Sequence, residues 1–173
     1  MDFQQRLANP RERVYLPELF AEVVKQKSTK AKSDLLTAYA KKNAEHYETL
    51  RDFIQCTFHP AVVMDLPDTE PPYETTFPDY NLAPNTLHKV FKRVPYFVKG
   101  HSKYIAEKVK REKLYIQTLE SLYKPDAELF LMVKDKRIDQ AKYRGLTEKL
   151  FRETFPELLP GKEDAPKQTG SWQ

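Results

Sequence analysis

Long helix-forming runs, interrupted at prolines and at a few glycines, constrain the fold of this 173-residue chain more than any other feature. Only four residues are glycine, and 31% are charged. The length is that of one domain and is sufficient to bury a normal hydrophobic core. We therefore predict an all-α protein with a single compact multi-helix domain over residues 16–160.

Helix caps and helix breakers divide this domain, because Ser, Thr and Asn side chains cap helix starts and proline is favoured in a first turn. The predicted helix starts are Leu16-Pro17, Ser28-Thr29, Asn85-Thr86, Ser102, Pro125 and Thr147. Pro60 and Pro156 end helices, since proline cannot continue them. The helix that Ser102 caps is expected to be the longest, from Lys103 to about Tyr123.

The helical spacing within that longest helix predicts which of its sides is buried. The predicted buried stripe is Ile105, Val109, Ile116, Leu119, Leu122 and Tyr123. The side chains expected on the outside are Lys103, Lys110, Arg111 and Lys113.

Both ends of the chain are polar. We expect residues 1–15, which contain Pro10 and three arginines, to form a flexible arm. Residues 161–173 are expected to form a disordered tail. Trp172, the only tryptophan, lies in that tail and is either a contact for a partner protein or an incidental exposed side chain.

Residues 61–85 form a Pro-rich acidic segment with five prolines, five Asp or Glu residues and no Lys or Arg. Because this density of proline prevents a long helix, we expect an irregular loop. Tyr73, Phe77 and Tyr80 are expected to hold it on the surface and are candidate partner-binding residues. The loop is either a partner-binding element or an insertion that its aromatic residues pin, and its negative charge argues against contact with DNA.

Two of the predicted helix starts are surrounded by basic side chains. Lys30 and Lys32 follow Ser28 and Thr29 in a first turn, where the helix dipole disfavours cations. A local rule broken in this way indicates a function, since an anionic ligand would reverse the penalty. The second start is a glycine turn, and its candidate residues are Lys136, Arg137, Lys142, Arg144, Gly145, Leu146 and Thr147. Basic side chains around a helix start predict phosphate binding, and exposed, solvated lysines are the alternative.

The net charge is only +4, but its distribution is uneven. Residues 86–124 carry ten Lys or Arg against three Asp or Glu, whereas the Pro-rich segment is purely acidic. The sequence therefore predicts a basic band beside an acidic loop.

The run from Gly145 to Pro160 resembles the end of the N-terminal DNA-binding domain of ATP-dependent DNA ligases, particularly the short phage type. The matching residues are Gly145, Thr147, Phe155, Pro156, Leu158, Leu159 and Pro160, while Glu157 replaces the glycine of that family. The stretch from Ser28 to Lys32 is similar to the turn that opens the second helix of the same domain. The resemblance covers about residues 17–160. It implies turns that grip the backbone of duplex DNA across the minor groove with little sequence preference, and a phage origin.

Motifs for catalysis are missing from the sequence. Ligation needs a K-x-D-G lysine, which the chain lacks, and no zinc spacing or nucleotide-binding glycine motif occurs. We therefore expect no enzymatic activity, no cofactor and no metal. Cys56, the only cysteine, is expected in the core, which fits a reducing compartment. Without an apolar run of about 18 residues or a leader peptide, the sequence predicts a soluble, cytoplasmic protein that does not enter membranes.

These observations lead to three hypotheses of function. The first is a non-enzymatic protein that binds duplex DNA, as an accessory of phage DNA replication or repair. The second is an adaptor that binds a replication, transcription or host protein through the Pro-rich loop and the tail. The third is a virion component that uses the helical domain as packing material.

Overall fold

Eight α-helices and three short 3₁₀ segments make up the regular structure of residues 1–161, the part of the chain that the computed structural model describes. The helices are α1 Phe3–Ala8, α2 Leu16–Lys25, α3 Thr29–Lys42, α4 Ala44–Phe58, α5 Leu87–Val90, α6 Lys108–Glu120, α7 Lys124–Asp135 and α8 Glu148–Thr154. The 3₁₀ segments are Tyr80–Leu82, Phe91–Phe97 and Pro156–Leu158. The described range contains no β-strand, so the all-α prediction is confirmed. Trp172 lies outside that range.

Aromatic rings from three helices meet at the centre of the domain. Phe20 of α2 packs against Phe53 of α4, with ring centroids 5.1 Å apart. Phe151 of α8 contacts both rings, at 6.0 and 6.4 Å. Tyr143, from the basic segment before α8, lies edge-on to Phe20 at 5.8 Å. Because such pairs add about 0.5–1.5 kcal/mol each beyond the burial of their area, the core holds this basic segment firmly in position.

The N-terminal residues form a helix that is bound to the domain, where the sequence predicts a flexible arm. Asp2 caps α1 in a capping box with Gln5. The Arg6 guanidinium pairs with Glu18 of α2 at 2.5 Å. Lys42 of α3 donates hydrogen bonds to the carbonyl oxygens of Arg6, Leu7 and Asn9. The polar composition conceals this docking because the partners lie 12 and 36 positions away along the chain.

The helix predicted to be the longest is shorter than expected and does not begin at Ser102, because α6 covers only the 13 residues Lys108–Glu120, whereas α4 has 15. Bonds to other parts of the chain hold the preceding residues in an irregular conformation. The Ile105 N–H donates to the Tyr96 carbonyl at 2.9 Å, and the Tyr104 hydroxyl donates to the Asp65 carboxylate at 2.5 Å. Tertiary contacts therefore override the local helical spacing in this region.

The predicted buried stripe is correct at Leu119 of α6 and at Leu122, which follows the helix, but wrong at two positions within α6. Val109 is 72% exposed, whereas Arg111, expected outside, is buried. The Arg111 guanidinium donates to the carbonyl oxygens of Asp65, Ile105 and Ala106, at 2.7 to 3.2 Å. A buried cation is tolerated there because these acceptors satisfy its donors.

The Pro-rich segment contains no helix between Phe58 and Tyr80 and is tied to the domain by side chains. Lys134 donates to the Pro67 carbonyl at 2.9 Å, and Tyr73 packs against the core. Tyr80 stacks on Tyr15 with ring centroids 3.7 Å apart and lies edge-on to Tyr123. Tyr73 and Tyr80 thus serve the fold of the segment, while Phe77 is half-buried.

Candidate nucleic-acid interface

The first predicted helix start, that of α3, is an exposed, capped and basic turn. The Ser28 hydroxyl oxygen accepts a hydrogen bond from the Ala31 N–H at 3.1 Å, and the first turn contains no acidic residue. Ser28, Thr29 and Lys30 are all exposed. Lys30 pairs with Asp34 at 2.9 Å, but such exposed i,i+4 pairs contribute only about 0.3–0.5 kcal/mol. The lysine is therefore easily released to another anion.

The second predicted helix start is a glycine turn that its own side chains and the core hold in place. Gly145 has a φ of 89°, a conformation that residues with a Cβ rarely adopt. The Gln140 side chain closes the turn, because its Oε1 accepts from the Gly145 N–H at 3.1 Å and its Nε2 donates to the Leu146 carbonyl at 2.8 Å. Leu146 is fully buried, and the Thr147 hydroxyl oxygen accepts from the Leu150 N–H at 3.2 Å. The turn is thus preorganised without a ligand.

The fold brings the two helix starts together. A Cβ on Gly145 would lie 2.7 Å from Lys32 Nζ, so the lysine of the first turn reaches across the glycine of the second. Nearby, the hydroxyls of Ser33 and Thr154 are hydrogen-bonded at 2.7 Å and join α3 to α8. Residues 28–32 and 144–147 therefore form one surface region, which we call the Lys32–Gly145 corner.

Side-chain cations carry the positive potential of this corner more than backbone amides do. The Gly145 and Leu146 N–H groups already donate, to Gln140 and to the Tyr143 carbonyl. Arg144 is exposed and has no ion-pair partner within residues 1–161. Lys27, which was not among the predicted site residues, is likewise exposed and unpaired beside Ser28 within that range, and its proximity in the sequence could have revealed it.

Lys136, a predicted DNA contact, points into the domain. Its backbone adopts a left-handed conformation, with φ of 56°, at the end of α7. The ammonium donates to the carbonyl oxygens of Cys56, His59 and Val62 at the end of α4, and burial lowers its pKa to about 8. Cations stabilise the carbonyl end of a helix, so this lysine is occupied by the fold.

Arg137 and Lys142 line a groove of about 720 Å³, which Gln140 borders on the side of the Gly145 turn. The same groove is lined by four carboxylates: Glu70, Glu128, Asp135 and Asp139. Lys142 is paired with Glu128 at 2.5 Å. Because the acidic residues outnumber the basic ones here, this groove repels a polyanion. Arg137 and Lys142 are close to Arg144 in the sequence, so the sequence could not show that their surroundings are acidic while Arg144 has no ion-pair partner within residues 1–161.

The described residues contain no group of three His, Cys, Asp or Glu side chains that could hold a metal ion. Cys56 is buried, as predicted, and burial raises the pKa of its thiol, so its reactive thiolate form is disfavoured. His46 is also buried, with its pKa lowered to about 4 by burial, and accepts a hydrogen bond from the Val14 N–H. No helix in the described range is long and apolar enough to cross a membrane.

The profile of a protein family of unknown function (DUF6433) matches residues 19–140. The matched range contains the α3 side of the corner and ends before the Gly145 turn. No curated protein and no solved structure matches the chain.

Proposed function

Since the chain belongs to the family of unknown function DUF6433, which assigns no activity, we propose a function from its own geometry: non-enzymatic binding of the duplex DNA backbone. The Lys32–Gly145 corner is the proposed contact surface. Its resemblance to turns of the DNA ligase N-terminal domain supports a duplex as the ligand and favours an accessory protein of phage DNA replication or repair.

The observation that carries this proposal is the approach of Lys32 Nζ to Gly145. Two basic turns that lie 112 positions or more apart in sequence, at residues 28–32 and 144–147, share one exposed region. Phosphate contacts from such cations position a protein on DNA without reading the base sequence. We therefore expect low sequence preference.

Four cations, Lys27, Lys30, Lys32 and Arg144, are available to the backbone of a bound duplex. If each neutralises one phosphate, the logarithm of the affinity falls with the logarithm of the salt concentration with a slope of about −3.6. Binding should consequently weaken steeply between about 50 and 200 mM salt.

A comparison of two double variants tests the location of the interface. Lys32→Ala with Arg144→Ala removes one lysine and one arginine from the corner, and the salt slope should become shallower by about 1.8. Lys142→Ala with Arg137→Ala removes the same charges from the acidic groove and should leave the slope unchanged. Fluorescence anisotropy with a labelled duplex measures both slopes. Equal losses in the two variants would refute the assignment.

A protein-binding adaptor is the second candidate, and a cavity beside the Pro-rich segment favours it. The cavity, of about 160 Å³, is lined by the apolar residues Leu66, Pro67, Pro71, Pro72, Tyr115 and Ile116. It would accept an apolar side chain of a replication or transcription protein. Absence of duplex binding at low salt, together with specific binding of such a protein that Ile116→Glu abolishes, would favour the adaptor.

A further inference from the structure

A second group of basic side chains lies outside the Lys32–Gly145 corner. Within residues 1–161 these lysines are exposed and have no carboxylate partner: Lys89, Lys92, Lys99, Lys103, Lys110 and Lys113. Many other surface cations are paired, as Arg13 is with Glu45 and Arg152 is with Glu148. The charges of these six lysines are thus not neutralised by ion pairs, whereas Lys108 and Arg111 of the same stretch are paired with Glu112 and Asp65.

The fold gathers most of these lysines around the first half of α6. Lys92 and Lys103 line one groove of about 320 Å³, where they and Arg51 outnumber the carboxylates Glu48 and Asp52 of α4. Arg93 donates to the Thr118 hydroxyl at 2.8 Å and joins the Phe91–Phe97 segment to α6. Lys110 and Lys113, three residues apart, share the outer face of α6. We call the region formed by Lys92, Lys99, Lys103, Lys110 and Lys113 the α6 surface.

Helix α4 separates the α6 surface from the Lys32–Gly145 corner. It packs against α3 and also against α5 and the Phe91–Phe97 segment. Within the described residues, α3 and α8 make no extensive contact with α5, that segment or α6. The two basic regions therefore belong to different elements, and α4 packs against elements of both.

The composition of the α6 surface favours a phosphate backbone over a lipid bilayer as its partner. Clustered like charges repel one another, and a polyanion relieves that repulsion by releasing its counterions. Membrane insertion needs a wide apolar face. On the outer side of α6, however, the exposed Val109 is surrounded by polar residues, namely the lysines, Gln117 and Glu120. The backbone of duplex DNA requires no apolar contact.

We infer that the α6 surface binds a second duplex, so that one molecule bridges two DNA segments. The inference rests on the proposed function, because the Lys32–Gly145 corner holds the first duplex. Each surface contributes its own phosphate contacts, and neither needs base-specific contacts. Loss of the α6 surface therefore removes bridging and spares the binding of a single duplex.

The test is a capture experiment with the full chain. Protein is bound to an immobilised duplex, and the retention of a fluorescent second duplex of unrelated sequence is measured at low salt. The triple variant Lys92→Ala, Lys103→Ala and Lys110→Ala should bind the immobilised duplex with unchanged affinity. Its retention of the second duplex should fall by at least about tenfold, given the loss of three phosphate contacts.

The matched control removes three exposed lysines elsewhere, by Lys25→Ala, Lys41→Ala and Lys124→Ala, and should bridge like the unchanged protein. The bridging inference fails if the α6 variant retains the second duplex normally, or if its affinity for a single duplex falls in parallel. It also fails if anionic phosphatidylserine vesicles, and not duplex DNA, lose binding to the variant. If the unchanged protein binds no duplex at all, the proposed function fails as well, whereas single-duplex binding without bridging refutes only this inference.

Discussion

Several cations in this protein bind backbone carbonyl groups of loops and helix ends. Lys42, Lys134 and Lys136 each donate to two or more carbonyl oxygens from distant parts of the chain, and Arg111 donates to the distant Asp65 carbonyl as well as to two nearer ones. Each bond satisfies an acceptor that would otherwise be shielded from water. A cation in a basic segment of the sequence can therefore belong to the fold, as Lys136 does, or to the solvent-facing surface, as Arg144 does.

Replacement of Lys136 tests this distinction. Lys136→Met should lower the free energy of unfolding by about 1–3 kcal/mol, because it removes the ammonium donor from the carbonyl oxygens of His59 and Val62. Affinity for duplex DNA should not change. Urea denaturation and anisotropy titration measure the two quantities, with Lys142→Met as a control that should keep full stability. Normal stability of Lys136→Met combined with weaker DNA binding would instead show that Lys136 contacts DNA.

Asp126 makes the stability of the fold depend on pH. Its side chain is 2% exposed and its Oδ1 has no hydrogen-bond partner within the described residues. Burial, assisted by the nearby Glu18, raises the pKa of this carboxyl to about 8. In the unfolded chain the group releases its proton near pH 4, so only the folded state holds it between about pH 4 and 8. Stability should therefore fall as the pH rises through this range and become independent of this group above it.

Asp126→Asn should remove that dependence. The contribution of the carboxyl to the slope is at most about 1.4 kcal/mol per pH unit, and urea denaturation at several values between about pH 5 and 8 measures it. Asp68→Asn, at an exposed position, is the control and should keep the slope of the unchanged protein. An identical pH profile for Asp126→Asn would show that the buried carboxyl is not protonated in the folded state.

At the scale of elements, helix starts were easier to predict than the orientation of helices. The start of α8 at Thr147 follows from a cap and its neighbours, and the structure contains it as predicted. The orientation of α6 depends on Arg111 and on the bonds of Tyr104 and Ile105 to other segments. Apolar spacing could not indicate that an arginine would replace Val109 on the buried side.

The Gly145 turn provides a prediction at this scale. Gly145→Ala should destabilise the protein by about 1–3 kcal/mol, since the positive φ is strained for alanine. It should also weaken duplex binding, because the new Cβ displaces Lys32 Nζ. Gly100→Ala is a matched control, with a φ of 94° at a position outside the corner. The control should lose stability but keep its DNA affinity, and equal affinity losses in both variants would contradict the importance of Lys32.

At the scale of the whole molecule, the charges are divided among three regions. All charged residues of the Pro-rich segment are acidic, while the Lys32–Gly145 corner and the α6 surface are basic and belong to different elements. This arrangement directs a polyanion to particular sides of the domain even though the net charge is only +4.

Binding of DNA should stabilise the whole domain. At a duplex concentration of about 100 times Kd, the free energy of unfolding should rise by about 2.7 kcal/mol, because the proposed contact surface, the corner, exists only in the folded state. Thermal unfolding with and without duplex measures the rise, which should disappear at high salt. The variant Lys32→Ala with Arg144→Ala should show a smaller rise at the same duplex concentration. A destabilisation by duplex would indicate that DNA binds the unfolded chain instead.

By itself, the sequence determined the all-α class, most helix starts and the burial of Cys56. Caps, prolines and helical spacing act over a few residues, so they can be read locally. Only the tertiary structure decided that residues 3–8 dock as a helix, that Lys136 faces inward and that Lys32 meets Gly145. These outcomes depend on hydrogen bonds and packing between distant segments. The order of residues along the chain does not specify which of the many cations donates to a buried carbonyl group and which stays exposed to solvent.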